Sequence, residues 1–166
     1  TLDDLQHNQT DIAIRGGDRA LDDPNLIARH LVTWQSTICA APDYLDRHPP
    51  ITHPSQLHAH RWLHFLPVRT TLQNGEESYF LDVADSIACT HLAAVCHLTE
   101  SGFGLSLQVG GEVREKIAQG RLKAVLPEWT LPPVSLYLVT PYRVQSAKTE
   151  AAVRIFTESF AKEGDL

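Results

Sequence analysis

The stretch Asp11-Ile-Ala-Ile-Arg-Gly-Gly17 runs three apolar residues together, then a cation, then two glycines. A strand exposed on one face alternates apolar with polar residues, so an unbroken apolar run predicts a strand covered on both faces. Arg15 stands where that strand leaves its sheet, and Gly16-Gly17 allow a sharp turn beside it. Open α/β sheets hold ligands at such strand ends. Arg15 and Gly16 are therefore candidate ligand contacts, with the guanidinium gripping a carboxylate through paired hydrogen bonds. The other reading pairs Arg15 with Asp18, Asp22 or Asp23, so that it only stiffens the loop.

Outward from this stretch, strands and helices are punctuated in turn. Leu26 to Ala41 carries Val32, Thr33, Thr37 and Ile38 and predicts a long extended segment. Pro42 to His48 predicts a short helix with proline first, and Pro54 to His58 another helical turn. Trp62 to Leu66 and Tyr79 to Val83 read as strands around a polar loop containing Asn74-Gly75, too long between them for a tight hairpin. Ser86 to Cys89 is a strand, Thr90 an N-cap, and His91 to Ser101 a helix turning Leu92, Val95, Cys96 and Thr99 to one side. Gly102 stops that helix. Leu105 to Gln108 is a strand, and Glu112 to Gln119 a helix with a Glu112/Lys116 pair. Leu122 to Leu126 and Val134 to Thr140 are strands, and Ser146 caps a last helix with Val153, Phe156 and Phe160 inward. Alternating strands and helices predict an α/β fold with a mostly parallel sheet.

Composition narrows the function. Of 166 residues, 43% are hydrophobic and 20% charged, near the average for soluble globular chains, and no apolar run reaches the roughly 18 residues of a membrane helix. The net charge of -6 leaves no basic stripe for phosphates, so no nucleic-acid contact is expected from this segment itself. Cys39, Cys89 and Cys96 lack C-x-x-C spacing and read as reduced, buried thiols; a reactive one would need a cationic, partly exposed setting. His58, His60 and His64 have no fourth ligand at zinc-like spacing, so no metal is expected. Gly102-Phe-Gly104 follows a helix rather than a strand, the wrong setting for a dinucleotide loop. With no G-x-S-x-G elbow or local triad pattern, no catalysis and no cofactor are expected.

The order DIAIRGG, Leu26-Ile-Ala-Arg29-His-Leu, Ile38-Cys-Ala-Ala-Pro-Asp-Tyr-Leu45 and His53-Pro-Ser-Gln-Leu57 resembles the effector-binding domain of LysR-type transcriptional regulators. The later half is similar in order and spacing: Thr90-His91, Glu100-Ser-Gly-Phe-Gly-Leu-Ser-Leu107, Gln119-Gly-Arg-Leu122, Val125-Leu-Pro-Glu-Trp129 and Leu136-Tyr-Leu-Val-Thr-Pro141. The resemblance implies two Rossmann-like lobes joined by a two-strand hinge, in the manner of type 2 periplasmic binding proteins. Residues 1–38 with 142–166 would form the first lobe and 39–141 the second, inserted one. Family members carry a β-α-β portion ahead of the segment resembling DIAIR that Thr1 to Gln9 cannot supply, so an incomplete first lobe is expected.

The resemblance also implies a small-molecule effector, anionic by the charge of Arg15 and of a helix N-terminus at Thr90, held in the cleft between lobes. Phe65, Leu66, Thr90, His91, Thr140 and Pro141 join Arg15 and Gly16 as candidate contacts, although Phe65 and Leu66 read equally as core, Thr90 as a cap, and Thr140-Pro141 as hinge. It further implies a homodimer or homotetramer in the cytoplasm, without membrane contact, reaching DNA only through an N-terminal winged helix-turn-helix absent from this sequence. The helices at 91–101 and 112–119 are candidate subunit contacts. The alternative is a solute-binding protein of a transport system, and a more distant one a small hydrolase.

Overall fold

The computed structural model describes residues 11–17, 24–84, 86–142 and 146–164. The chain divides into two compact units, one from residues 1–34 with 133–166 and one from residues 35–132. The chain thus crosses between units at Trp34/Gln35 and Pro132/Pro133, where the sequence reading put the lobe boundaries at 38/39 and 141/142.

Unit 1 is a three-stranded sheet with a helix. Strands β1 (Ala13–Gly17) and β2 (Leu26–Trp34) flank β10 (Val134–Pro141), both antiparallel to it. Helix α4 (Ala147–Gly164) packs Val153 and Phe160 against Leu31, Val32 and Leu138. Ser146 starts it as expected, its hydroxyl accepting from the Thr149 amide at 3.2 Å. Phe156, expected inward, is 37% exposed. The β1 expectation also needs correction: Ile14 is 42% exposed, so this edge strand is not covered on both faces. Gly16 and Gly17 continue it as strand instead of turning, and neither has a positive φ. Asp18, Asp22 and Asp23, the suggested partners of Arg15, lie outside the described residues.

Unit 2 holds the larger core and a five-stranded sheet ordered β7-β4-β8-β3-β9, built from β3 (Ser36–Ala40), β4 (Trp62–His64), β7 (Ser86–Ala88), β8 (Leu105–Val109) and β9 (Lys123–Ala124). The predicted long extended segment is thus β2 and β3, interrupted only at Gln35. Strand β4 pairs parallel with β7 and β8, whereas β3 pairs antiparallel with β8 and β9. Four strands therefore share one direction, and only β3, the strand on which the chain enters the unit, opposes them. The expected mostly parallel sheet is corrected here by that one strand, and in unit 1 by full antiparallel pairing.

Helix α1 (Pro42–Asp46) has proline in its first turn, and a 3-10 helix spans Pro54–Ala59. Helix α2 (Leu92–Glu100) links β7 to β8, and α3 (Gly111–Ala118) links β8 to β9. Each such link joins strands of like direction that skip one intervening strand, the crossover that parallel neighbours require. Trp62 anchors the core, fully buried and donating its indole N–H to the Leu57 carbonyl at 2.9 Å.

The polar loop between Trp62 and Val83 is a strand pair. Strands β5 (Arg69–Asn74) and β6 (Glu77–Asp82) form a tight hairpin closed by Gly75-Glu76; the Trp62 strand does not pair with β6, and the unexpected strand is β5. Gly75 has a φ of 58°, the conformation a II′ turn demands of its first central residue. The strand Arg69-Thr-Thr-Leu-Gln-Asn74 escapes a hydrophobicity reading because only Leu72 in it is fully buried.

A Cβ placed on Gly104 would run into the Arg61 carbonyl oxygen, which accepts the Leu105 amide at 2.8 Å, whereas one on Gly17 would meet nothing within 4 Å. Gly104→Ala is expected to lower the free energy of unfolding by about 1–3 kcal/mol, with Gly17→Ala within about 0.5 kcal/mol of wild type. Urea unfolding of the three proteins checks this.

Candidate functional site

Within unit 2 the parallel register His64↔Ala88 sets two strand ends side by side, and the Cys89 amide extends the ladder to the His64 carbonyl at 2.8 Å. Just beyond lie Phe65 and Leu66 on one strand and Thr90 and His91 on the other. Four of the eight expected site residues are therefore gathered at one carboxyl edge. Phe65 and Leu66 are 47% and 69% exposed, which disposes of the reading that makes them core. Open α/β sheets place ligands at this edge.

The N-cap of α2 is His91, one residue later than expected, and its side chain makes no capping hydrogen bond. The first-turn N–H groups therefore lack a side-chain acceptor at the cap and carry the positive end of the helix dipole. Among the described residues Thr90 makes no side-chain hydrogen bond, and the His64 Nδ1 at the same strand end is buried with no partner. A buried polar atom in that condition calls for water or ligand. The segments 64–67 and 89–91 contain no carboxylate, so this edge suits an anion better than the chain's overall charge suggests.

The register of β3 adds the position of this edge in the fold. Ser36 pairs with Val109 at the carboxyl end of β8, and its hydroxyl donates to the Pro132 carbonyl at 2.8 Å. The chain thus enters and leaves unit 2 at the edge that carries Phe65 and Thr90.

The other four expected residues lie in unit 1. Arg15 is exposed on β1 opposite Tyr137, and Gly16 is opposite Leu136. Among the described residues Arg15 makes no ion pair. Thr140 is fully buried and its hydroxyl accepts from Arg29 at 3.2 Å; Pro141 is buried at the strand end. Along β10, Thr140 stands three residues beyond the Tyr137 that faces Arg15, about 10 Å. Arg15 and Thr140 are thus not neighbours on this sheet.

Of the three clustered histidines, His58 and His60 are separately engaged. His58 meets the Tyr79 hydroxyl at 3.1 Å and His60 the Tyr44 hydroxyl at 3.2 Å. No group of three or more metal-capable side chains occurs among the described residues. His58, His60, Arg61, Asp82 and Ser86 line a cavity of about 480 Å³ at the amino end of β4 and β7, the edge opposite Thr90. Sequence reasoning missed it, because its lining joins two stretches, 58–62 and 82–87, that only the sheet brings together.

These features describe an α/β domain whose strand ends carrying Phe65 and Thr90 lie at the crossover of the chain, and comparisons with known proteins place it in a family. The LysR substrate binding domain family matches residues 1–161, and the chain belongs to that family. It is similar to the HTH-type transcriptional regulator DmlR of Escherichia coli, 31% identical over 97% of this chain and 53% of DmlR, and to PtxR of Pseudomonas aeruginosa, 28% identical over 96% and 52%. The chain spans about half the length of these relatives. Among solved structures, the full-length virulence activator AphB of Vibrio cholerae superposes with a TM-score of 0.75 at 25% identity, over 95% of this chain and 55% of AphB. The regulatory domain of CrgA from Neisseria meningitidis gives 0.73 at 25%, over 96% and 78%. The type 2 periplasmic-binding-protein-like fold and the effector-sensing role expected of a LysR-type regulator are thereby established, and nothing favours the transport alternative. The family and these relatives are transcriptional regulators, not enzymes. Among the described residues no helix is long and apolar enough to cross a membrane.

Burial, then the neighbouring His48, lowers the pKa of His60 from its ordinary 6.5. The folded state therefore binds this proton less readily than the unfolded chain, and the stability present above pH 6.5 is lost as pH falls toward the folded value. His60→Gln is expected to flatten this acid-side decline, read from urea midpoints against pH. Burial also pushes the Cys39 thiol up to about 12. In native-state labelling with iodoacetamide, Cys89, which is partly exposed, is expected to react well before Cys39.

Proposed function

We propose that this domain senses a small anionic effector at the carboxyl edge of β4 and β7, with Phe65 and Leu66 as apolar walls and Thr90, His91 and the first turn of α2 as donors. The observation that carries this reading is the helix start without a side-chain cap, set beside two exposed apolar residues where the chain crosses between units. The resemblance to the family frames the rest: it implies first-lobe contacts from Arg15, Gly16, Thr140 and Pro141 and a homodimer or homotetramer in the cytoplasm. An effector shifts such an assembly only through its different affinity for two arrangements. That shift reaches DNA through a winged helix-turn-helix belonging to the longer protein.

One substitution separates the anion reading from a purely structural role for the helix start. His91→Asp supplies a better N-cap, expected to raise stability by up to about 1 kcal/mol, while placing a negative charge against the ligand. Calorimetric titration with a panel of small mono- and dicarboxylates is expected to show binding to wild type and a loss of roughly tenfold or more in the variant. Neutral amide analogues binding as tightly as the carboxylates, or unchanged affinity in a stabilised His91→Asp protein, would overturn the proposal.

A further inference from the structure

Two helices of unit 2 meet at a buried trio. Cys96 and Glu100 stand one turn apart on α2, and Lys116 reaches them from α3. The Lys116 side chain is only 5% exposed, with its Nζ 2.7 Å from Cys96 Sγ and 3.3 Å from Glu100 Oε2. An ammonium donating to oxygen settles at about 2.7–3.2 Å. Sulfur is the larger atom, so this pair sits closer than an ordinary ammonium–thiol hydrogen bond. The separation suits two single bonds meeting at one intervening oxygen atom.

We infer that Cys96 and Lys116 form a reversible covalent link through one oxygen, Sγ–O–Nζ, which staples α2 to α3 under oxidising conditions. The oxidant is dioxygen. Lys116 first passes its extra proton to the Glu100 carboxylate. The S–H bond and one N–H bond then break, the S–O and O–N bonds form, and the two hydrogens leave with the second oxygen atom as water. Sulfur and nitrogen are oxidised and dioxygen is reduced. Four hydrogens from two dithiothreitol molecules reverse the step, returning thiol, amine and one water. Burial restricts entry to a small oxidant and puts the amine ahead of any outside nucleophile, because Cys96 is 6% exposed and Lys116 already touches it. Cys39, fully buried against Ser106 at 3.9 Å, makes no ammonium hydrogen bond of this kind among the described residues and serves as the internal comparison.

The test is intact-mass and peptide-mapping mass spectrometry of the whole chain, aerated and then treated with dithiothreitol. The expected product gains one oxygen and loses two hydrogens, joins the peptide containing Cys96 to that containing Lys116, and reverts on reduction. Cys96→Ser and Lys116→Arg should each abolish it, and since the product is mapped on wild type, the result does not depend on those variants folding. A sulfenic or sulfinic Cys96 beside a free Lys116, a Cys39–Cys96 disulfide, or no mass change after aeration would each overturn the inference.

Discussion

The antiparallel pairing of β3 with β8 is the constraint on which the rest of unit 2 depends. Ile38 and Ala40 turn into the large core, while Cys39 turns the other way against Val113 and Leu122. A slip of one residue would exchange these faces, putting a branched side chain where a thiol fits. With the register so held, Ser36 lies opposite Val109, and the crossing of the chain falls at the carboxyl ends of the other strands. In unit 1 the same two passages stay paired through Trp34↔Val134, with Thr33 and Ser135 hydroxyls 2.8 Å apart. The fold's doubled passage and the place of that carboxyl edge therefore have one cause.

That cause explains why the edge is polar in backbone yet apolar in side chain. Strands that end together leave their last peptide groups without ladder partners, and a following helix adds the N–H groups of its first turn. Phe65 and Leu66 follow β4 as Thr90 and His91 follow β7, so the exposed apolar pair and the helix start come from adjacent strands in one parallel register. Neither segment carries an acid, although the chain has 20 Asp and Glu against 14 Lys and Arg. The local field is set by the helix start and by where the acids are not.

The sequence was informative where the determinants are local. Proline and capping signals placed α1, the 3-10 turn and α4 closely, and Gly102 ended α2 as expected. Family order along the chain pointed to the fold and to the four edge residues of unit 2. Strand direction was illegible, because β3 reads as any buried strand and only its tertiary partners make it oppose the others. The β5 strand was hidden by its polar residues. Tertiary packing also adds partners that local spacing does not show: Lys116, read with Glu112 by helical spacing, sends its ammonium to Glu100 and Cys96 on the neighbouring helix. The Glu112 side chain lies outside the described residues.

A lysine buried at that depth needs a reason, since removing an ammonium from water costs several kcal/mol unless partners restore its interactions. Glu100 supplies the main one, and it is shared: Arg121 lies 3.1 Å and His97 3.7 Å from the same carboxylate. Arg121 reaches it from an exposed position and could keep Glu100 paired without any buried cation. Lys116 is thus not required to neutralise the carboxylate, and an apolar residue of similar length would fill its place between α2 and α3 at lower desolvation cost. The lysine brings a nitrogen against the Cys96 sulfur, with the Glu100 carboxylate 3.3 Å from its Nζ. The sulfur, nitrogen and carboxylate thus stand together between α2 and α3, the arrangement on which the inferred link rests.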